Sequence, residues 1–116
     1  MHAFTLTWAE LPSGPRDGEI RNPTPRQIDE ILEPLSRGGD GFAILSMGDE
    51  RYIQTSAGTD NGNQRITVEY RAGGADAHFE LDEPVRNAQR LKQLFHAYLA
   101  DPNTISQQGR WKPLTF

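Results

Sequence analysis

The stretch that most constrains the fold runs from residue 65 to residue 83 and reads RITVEYRAGGADAHFELDE. Apolar and polar side chains alternate on both sides of Gly73 and Gly74, which is the two-residue period of β-strands with two different faces. If the two glycines form a two-residue turn, the numbers of opposed residues add to 147. That register predicts a hairpin with one apolar face and one charged face.

Both faces of this predicted hairpin join residues of matching chemistry. The apolar pairs are Ile66–Leu81, Val68–Phe79 and Tyr70–Ala77, and the polar pairs are Arg65–Asp82, Thr67–Glu80, Glu69–His78 and Arg71–Asp76. Three of the four polar pairs have opposite charges when the histidine is protonated. We therefore expect the buried set to be Ile66, Val68, Tyr70, Phe79 and Leu81, and we expect Glu69, His78 and Glu80 to face solvent or a partner.

The remainder of the chain alternates turn-forming stretches with segments of strand or helix period. Phe4, Leu6 and Trp8 predict a first strand, and residues 10–19 read as a loop because they contain two prolines and two glycines. A helix should begin after Thr24, with Pro25 at its first position, and Pro34 should end or bend it. Residues 41–47 and 51–57 read as two strands joined near Gly48 and Asp49.

The strongest helix pattern covers residues 84–102, with an apolar stripe made of Val85, Ala88, Leu91, Phe95, Tyr98 and Leu99. The predicted order is β-α-β-β-β-β-α. This order indicates an α+β fold with a mostly antiparallel sheet of four to five strands and two helices on one face. Since the chain has 116 residues and 35% hydrophobic residues, we predict one domain, residues 1–116, around one modest core.

Composition limits the classes of partner and site. The absence of cysteine excludes disulfides and thiolate metal sites, and it fits a reducing compartment. A formal net charge of −4 gives no general attraction to nucleic acid or anionic lipid. Neither a signal-peptide pattern nor a membrane-spanning run is found, so we expect a cytoplasmic protein with no membrane partner.

Catalytic and cofactor motifs are missing from the sequence. The three histidines, His2, His78 and His96, match no metal signature, and the serines lack the G-x-S-x-G turn of hydrolases. The stretch GTDNG lacks the lysine of a phosphate loop. We therefore predict no enzyme activity, no cofactor and no metal.

Residues 40–83 carry nine acidic and three basic side chains, which favours a basic partner. The set Glu69, His78, Glu80 and Asp82 has three interpretations: a solvated ladder on the open sheet face, a protein-binding surface, or a catalytic or metal site. Trp111, which lies between Arg110 and Lys112, has two interpretations. Its ring either completes the core or serves as an aromatic anchor that contacts a partner.

The order of these motifs resembles a known family. The segments EIRNPTPRQIDEILEPLSRGGDGFAILSMGDERYIQTSAGT, ITVEYRAGGADAHFEL and FHAYLADP, followed by a late tryptophan, are similar to the first immunity family of bacterial polymorphic toxin systems over roughly residues 19–113. The resemblance implies a small α+β protein that is not an enzyme and that inhibits a cognate toxin, commonly of the deaminase superfamily. It also implies that residues 68–71, Gly73, Gly74 and Trp111 mainly maintain the fold.

Charge and resemblance together predict the mode of binding. A toxin that modifies nucleic acid needs a basic substrate groove, which an acidic sheet face could cover in a one-to-one complex. The predicted partner-binding residues are Asp49, Glu50, Asp60, Glu69, His78, Glu80, Asp82 and Trp111. The alternative is an adaptor or chaperone-type module that binds proteins without inhibiting them. In neither case do we expect direct binding of nucleic acid.

Overall fold

The computed structural model describes residues 3–11, 13–38 and 40–114. These residues form seven β-strands, two α-helices and two 3₁₀ segments. The elements, in chain order, are β1 (Thr5–Ala9), β2 (Gly18–Arg21), α1 (Pro25–Leu35), β3 (Gly41–Ser46), β4 (Arg51–Asp60), β5 (Asn63–Ala72), a first 3₁₀ segment (Ala75–Ala77), β6 (His78–Leu81), α2 (Ala88–Ala100), a second 3₁₀ segment (Pro102–Gln107) and β7 (Trp111–Pro113).

All strands join one antiparallel sheet in the order β2-β1-β3-β4-β5-β6-β7. The predicted α+β class is confirmed, but the prediction of four to five strands was too low because β2 and β7 were read as loop and tail. Both are short edge strands that form against a longer neighbour. In β2, Ile20 lies opposite Leu6 of β1, and in β7, Trp111 lies opposite Leu81 of β6. Strands of this length carry too few residues to show a period of their own.

Helix α1 begins as its sequence predicts. Gln27 N donates to Thr24 Oγ1 at 3.2 Å, and Thr24 N donates to Gln27 Oε1 at 2.9 Å. This reciprocal capping box satisfies backbone donors that the first turn leaves without intrahelical partners. Pro25 occupies the first turn, and the helix ends at Leu35, one residue after Pro34.

Helix α2 is shorter than predicted. It begins at Ala88 because Asn87 is its N-cap, with Asn87 Oδ1 accepting a hydrogen bond from Arg90 N at 3.1 Å. Val85, which the sequence places on the helical stripe, therefore lies in the preceding loop, where it packs against the core as a partly buried residue. An amide side chain that caps well overrides the weaker signal of an apolar residue one turn earlier.

The core lies on one face of the sheet. Alternate strand residues, such as Leu45, Ile53 and Val68, point to this face and meet the buried sides of both α-helices. Fully buried side chains contributed by the helices include Ile28, Leu32, Leu91, Leu94, Phe95 and Tyr98. Since both helices pack here, the opposite face of the sheet is left without a helix in the described part of the chain.

The register of the β5–β6 hairpin differs from the prediction. Glu69 lies opposite Glu80, Tyr70 opposite Phe79 and Arg71 opposite His78, so opposed residue numbers add to 149 rather than 147. The chain does not turn within Gly73 and Gly74 alone, because the 3₁₀ segment Ala75–Ala77 lengthens the connection.

The shift of two residues preserves the period of the strands. Side chains therefore keep their predicted faces, while every predicted cross-strand pair is wrong. On the core side Val68, Tyr70 and Leu81 are buried as predicted, whereas Ile66 and Phe79 are only partly buried.

Candidate functional site

The candidate site is the sheet face that the helices do not cover, called the open face below. It is formed by alternate residues of β3 to β7, and its centre comprises Phe42, Ile44, Tyr52, Gln54, Glu69, Arg71, His78, Glu80 and Lys112. One cross-strand row runs through Ile44, Gln54, Glu69, Glu80 and Lys112. The open face thus combines apolar, amide and charged side chains over five neighbouring strands.

His78 lies within the open face and is only 3% exposed, so the prediction that it faces solvent or a partner was wrong. Its Nε2 lies 2.6 Å from Glu69 Oε1, and Arg71 Nε donates to its Nδ1 at 3.0 Å. The ring of Tyr52 meets the imidazole edge to face, with centroids 6.0 Å apart. These long neighbours cover a residue that strand alternation alone would leave exposed.

The two hydrogen bonds also define the protonation of His78. Because Arg71 has no lone pair to offer and donates to Nδ1, that nitrogen must be the acceptor, and Nε2 carries the proton that Glu69 accepts. The imidazole is therefore neutral. Both ring nitrogens are engaged, so His78 has no nitrogen available in this arrangement to take a proton from a substrate.

Arg71 extends the polar contacts towards the β3–β4 turn. Arg71 Nη1 donates to Glu50 Oε2 at 2.9 Å, and its guanidinium carbon lies 5.8 Å from the centroid of the Tyr52 ring. The hydrogen bond with Glu50 raises the pKa of Arg71. Glu50, Arg71, His78 and Glu69 thus form one continuous network, called the Glu50–Glu69 network below, which connects β5, β6 and the turn before β4.

Three of the six acidic side chains predicted to bind a partner contact an arginine, histidine or lysine side chain: Glu50, Glu69 and Glu80. Glu69 contacts His78 despite the shifted register, because the contact is diagonal rather than directly cross-strand. Glu80 lies opposite Glu69, and its Oε2 lies 3.5 Å from Lys112 Nζ. The charge of Lys112 reduces the repulsion between the adjacent carboxylates of Glu69 and Glu80, whereas the neutral His78 contributes a hydrogen bond to Glu69. The open face is therefore less acidic than the count of residues 40–83 indicates.

The other predicted acidic residues lie around the open face. Asp49 is exposed beside Glu50 in the β3–β4 turn, and Asp82 is exposed just after β6. Asp60 ends β4, and its side chain lies outside the part of the structure that is described. The structure thus brings together Glu50, Glu69, His78 and Glu80, with Asp49 and Asp82 at the margin.

Trp111 points to the helix-covered face, away from these acidic side chains. Its Nε1 donates to Ile105 O at 3.1 Å, and its ring stands edge-on to Tyr70 with centroids 4.6 Å apart. Burial in this region raises the pKa of Tyr70. The side chain is partly buried and packs against the core, so Trp111 and the open face are on opposite sides of the sheet.

Six residues of the open-face centre were absent from the predicted partner-binding set: Phe42, Ile44, Tyr52, Gln54, Arg71 and Lys112. Strand alternation in residues 51–57 places Tyr52 and Gln54 on the face opposite Ile53 and Thr55, so that signal was present in the sequence. The contact of Lys112 with Glu80 needs β7, which the sequence does not predict. Arg71 was assigned to the correct face, but its contacts depend on the shifted register.

Within residues 3–11, 13–38 and 40–114, no group of three or more histidine, aspartate or glutamate residues could hold a metal ion. No helix among those residues is long and apolar enough to cross a membrane. Comparison with protein-family models, curated proteins and solved structures gives no match. The resemblance to the first immunity family therefore stays a prediction from the sequence pattern.

Proposed function

We propose that this protein is an immunity protein that binds a cognate bacterial toxin through the open face and blocks the toxin's active site or substrate groove. The observation that carries the proposal is the open face itself: a sheet surface over five strands, with no helix of the described chain on it and with polar side chains fixed by the Glu50–Glu69 network. Side chains held in place before binding lose less conformational freedom when a partner docks.

The chemistry of the open face suits a protein partner. Phe42 and Ile44 are partly exposed on β3, and Ile44 lies opposite Gln54 in the row that leads to Glu69. Protein interfaces commonly combine an apolar centre with a charged and polar margin. A small-molecule site needs a deep cavity with converging polar groups, whereas the network here fills the space around His78 with protein side chains.

We infer the nature of the partner from the family resemblance. The resemblance to the first immunity family indicates a toxin of the deaminase superfamily, and such a toxin needs a basic groove for nucleic acid. Asp49 and Asp82 place exposed carboxylates at the margin of the open face, where they would attract that groove before contact. The Glu50–Glu69 network would then contribute to contact rather than to attraction, because Glu50 already pairs with Arg71 and Glu69 already accepts a hydrogen bond from His78.

The direct test is co-expression with a candidate toxin encoded beside this gene, scored by growth and by purification of a one-to-one complex. Gln54→Arg places a bulky cation at the centre of the open face, and Gln93→Arg makes the same change at an exposed position of α2. We expect the first variant to lose protection and complex formation and the second to retain both. If the unmodified protein neither binds nor neutralises that toxin, the immunity proposal is wrong.

A separate measurement addresses electrostatic attraction. The double variant Asp49→Lys and Asp82→Lys changes only exposed residues and leaves Glu69 in contact with His78. We expect slower association with the toxin at low salt, with a smaller difference at physiological salt because exposed charges are screened there. An unchanged association rate across the salt series would exclude attraction by these carboxylates.

The second candidate function is a protein-binding adaptor or chaperone-type module that does not inhibit its partner. The same uncovered face supports this function, because a surface that binds a protein is compatible with a partner that is inhibited and with one that is not. The co-expression test separates the two: an adaptor would form the complex, lose it in Gln54→Arg, and leave the toxin active.

A further inference from the structure

Strand β5 extends beyond the end of its neighbour β6. Strand β4 pairs with β5 over the full length of both strands, whereas β6 pairs only with residues 69–71. Continuing that register places Leu81, the last residue of β6, opposite Val68. Residues 63–67, called the free edge below, therefore have a strand neighbour only on the β4 side within the described chain.

The hairpin turn determines which backbone groups point outwards. Asn61 and Gly62 have φ angles of 53° and 81°, as a two-residue type I′ turn requires, so Asp60 and Asn63 form the closing hydrogen-bonded pair. Hydrogen-bonded pairs then recur at every second residue, which turns the backbone groups of Arg65 and Thr67 towards β4. The backbone N–H and C=O of Gln64 and Ile66 face away from β4.

A groove of about 500 Å³ lies along the free edge. Its opposite side is formed by residues 82–85 together with Arg110 and Lys112. The side chains around it differ between the two faces of the sheet. On the core side are the partly buried Ile66 and Val85, and on the open side are Arg65 and Glu80.

We propose that this groove binds an extended segment of a partner protein, which adds to the sheet as a strand beside the free edge. Only an extended backbone can supply donors and acceptors at the spacing of Gln64 and Ile66. Because the two sides of the groove are apolar and charged, the segment must alternate apolar side chains, directed towards Ile66 and Val85, with charged side chains directed towards Arg65, Glu80 and Lys112.

A second copy of the chain is a poorer occupant. A two-fold antiparallel pairing that used all of residues 63–67 would be centred on residue 65 and would place two Arg65 side chains opposite each other. Like charges directly opposite in a sheet destabilise the pairing. The paired copy would also bring its own β4 on the far side of its β5, where residues 82–85 stand. A single strand avoids both conflicts.

This proposal does not require the partner to be a toxin, because it depends on the backbone of β5 and the groove. The two sites are distinguishable by mutation, since Gln54→Arg changes the centre of the open face and leaves the free edge intact. A toxin that used both would be sensitive to changes at either site.

The test uses the ¹⁵N-labelled protein and two acetylated, amidated heptapeptides of identical composition. In one, valine alternates with lysine and glutamate; in the other, the valines are consecutive. With the alternating peptide in excess we expect amide hydrogen exchange at Gln64 and Ile66 to slow by about tenfold or more. Arg65 and Thr67 serve as internal controls, because their amides already face β4 and should change little.

Two variants of Ile66 test the role of its backbone. Ile66→Pro removes a donor that faces the groove while sparing the bonds to β4, and Ile66→Val keeps the donor. We expect peptide binding to be lost in the first and retained in the second. If Ile66→Pro does not fold, amide hydrogen exchange at Gln64 and Ile66 of the unmodified protein, measured with the alternating peptide, tests the proposal by itself.

Three outcomes would overturn the proposal. The first is no slowing at Gln64 and Ile66 with the alternating peptide. The second is equal slowing with the peptide of consecutive valines, because binding would then not depend on strand alternation. The third is slowing that increases with protein concentration in the absence of peptide, which would make a second copy the occupant.

Discussion

Arg71 Nε donates a hydrogen bond to His78 Nδ1 at 3.0 Å, and the two residues lie directly opposite each other on β5 and β6. This bond holds the imidazole in its neutral form with the proton on Nε2, where Glu69 accepts it. An isolated neutral polar group buried at a sheet face would be unfavourable, whereas one with both nitrogens bonded is accommodated. The pair therefore stiffens the centre of the open face.

Removing His78 should destabilise the fold more than removing His96. Both histidines contact a carboxylate: His78 Nε2 lies 2.6 Å from Glu69 Oε1, and His96 Nε2 lies 2.7 Å from Asp29 Oδ1. The side chain of His78 is 3% exposed, whereas that of His96 is 38% exposed. We expect His78→Ala to lower the free energy of unfolding by about 2–3 kcal/mol, because Glu69 and Arg71 lose a buried partner. His96→Ala should cost less than about 1 kcal/mol. Equal losses in urea unfolding would contradict this difference.

Trp111 should report on the core rather than on partner binding. Trp111→Phe keeps a ring beside Tyr70 but loses the hydrogen bond to Ile105, so we expect a loss of about 1 kcal/mol in unfolding free energy. In a Trp8→Phe background, Trp111 fluorescence should be blue-shifted in the free protein and change little when the toxin is added. A large change on binding would instead assign Trp111 to the interface.

Gly41 should tolerate a side chain less well than Gly38. Both have positive φ angles, 146° and 123°, but a Cβ at Gly41 would lie 2.9 Å from Glu10 O, whereas Gly38 has no atom within 4 Å of that position. We expect Gly38→Ala to cost about 1 kcal/mol from backbone strain, and Gly41→Ala to cost at least about 2 kcal/mol more. Thermal unfolding of the two variants measures the difference, and similar melting temperatures would argue against a tight contact at Gly41.

The ion pair between α1 and α2 should contribute to acid stability. Glu33 Oε2 lies 2.5 Å from Lys92 Nζ, and this contact lowers the pKa of Glu33 and raises that of Lys92. The stabilisation is fully present between the ordinary values of 4.5 and 10.5. It is lost as the pH falls through the lowered pKa of Glu33, or as it rises through the raised pKa of Lys92.

Lys92→Met isolates this contribution. The variant should lose stability at pH 7 relative to the unmodified protein, and the difference should shrink as the pH falls below 4.5. The acid side is the cleaner measurement, because burial also raises the pKa of Tyr98 to about 12 and affects unfolding in alkali. A difference that does not depend on pH in acid would show that Lys92 acts through packing instead.

Sequence alone predicted the elements whose signals are local. The start of α1 follows from Thr24, Pro25 and Gln27, because a capping box uses only residues within one turn. The faces of β5 and β6 follow from the two-residue period, which survives any even shift in register. These features determined the α+β class and assigned Glu69, His78 and Glu80 to the face opposite the core.

Tertiary structure decided the properties that depend on distant residues. The 3₁₀ segment after Gly73 and Gly74 set the register, so Arg71 rather than Glu69 lies opposite His78. Burial of His78 needs Tyr52 from β4, and the ion pair of Glu80 needs Lys112 from β7. The two-residue period of a strand specifies the face of the sheet on which each side chain lies. The exposure of that side chain and the ion pairs that it forms depend on which neighbours the folded chain brings beside it.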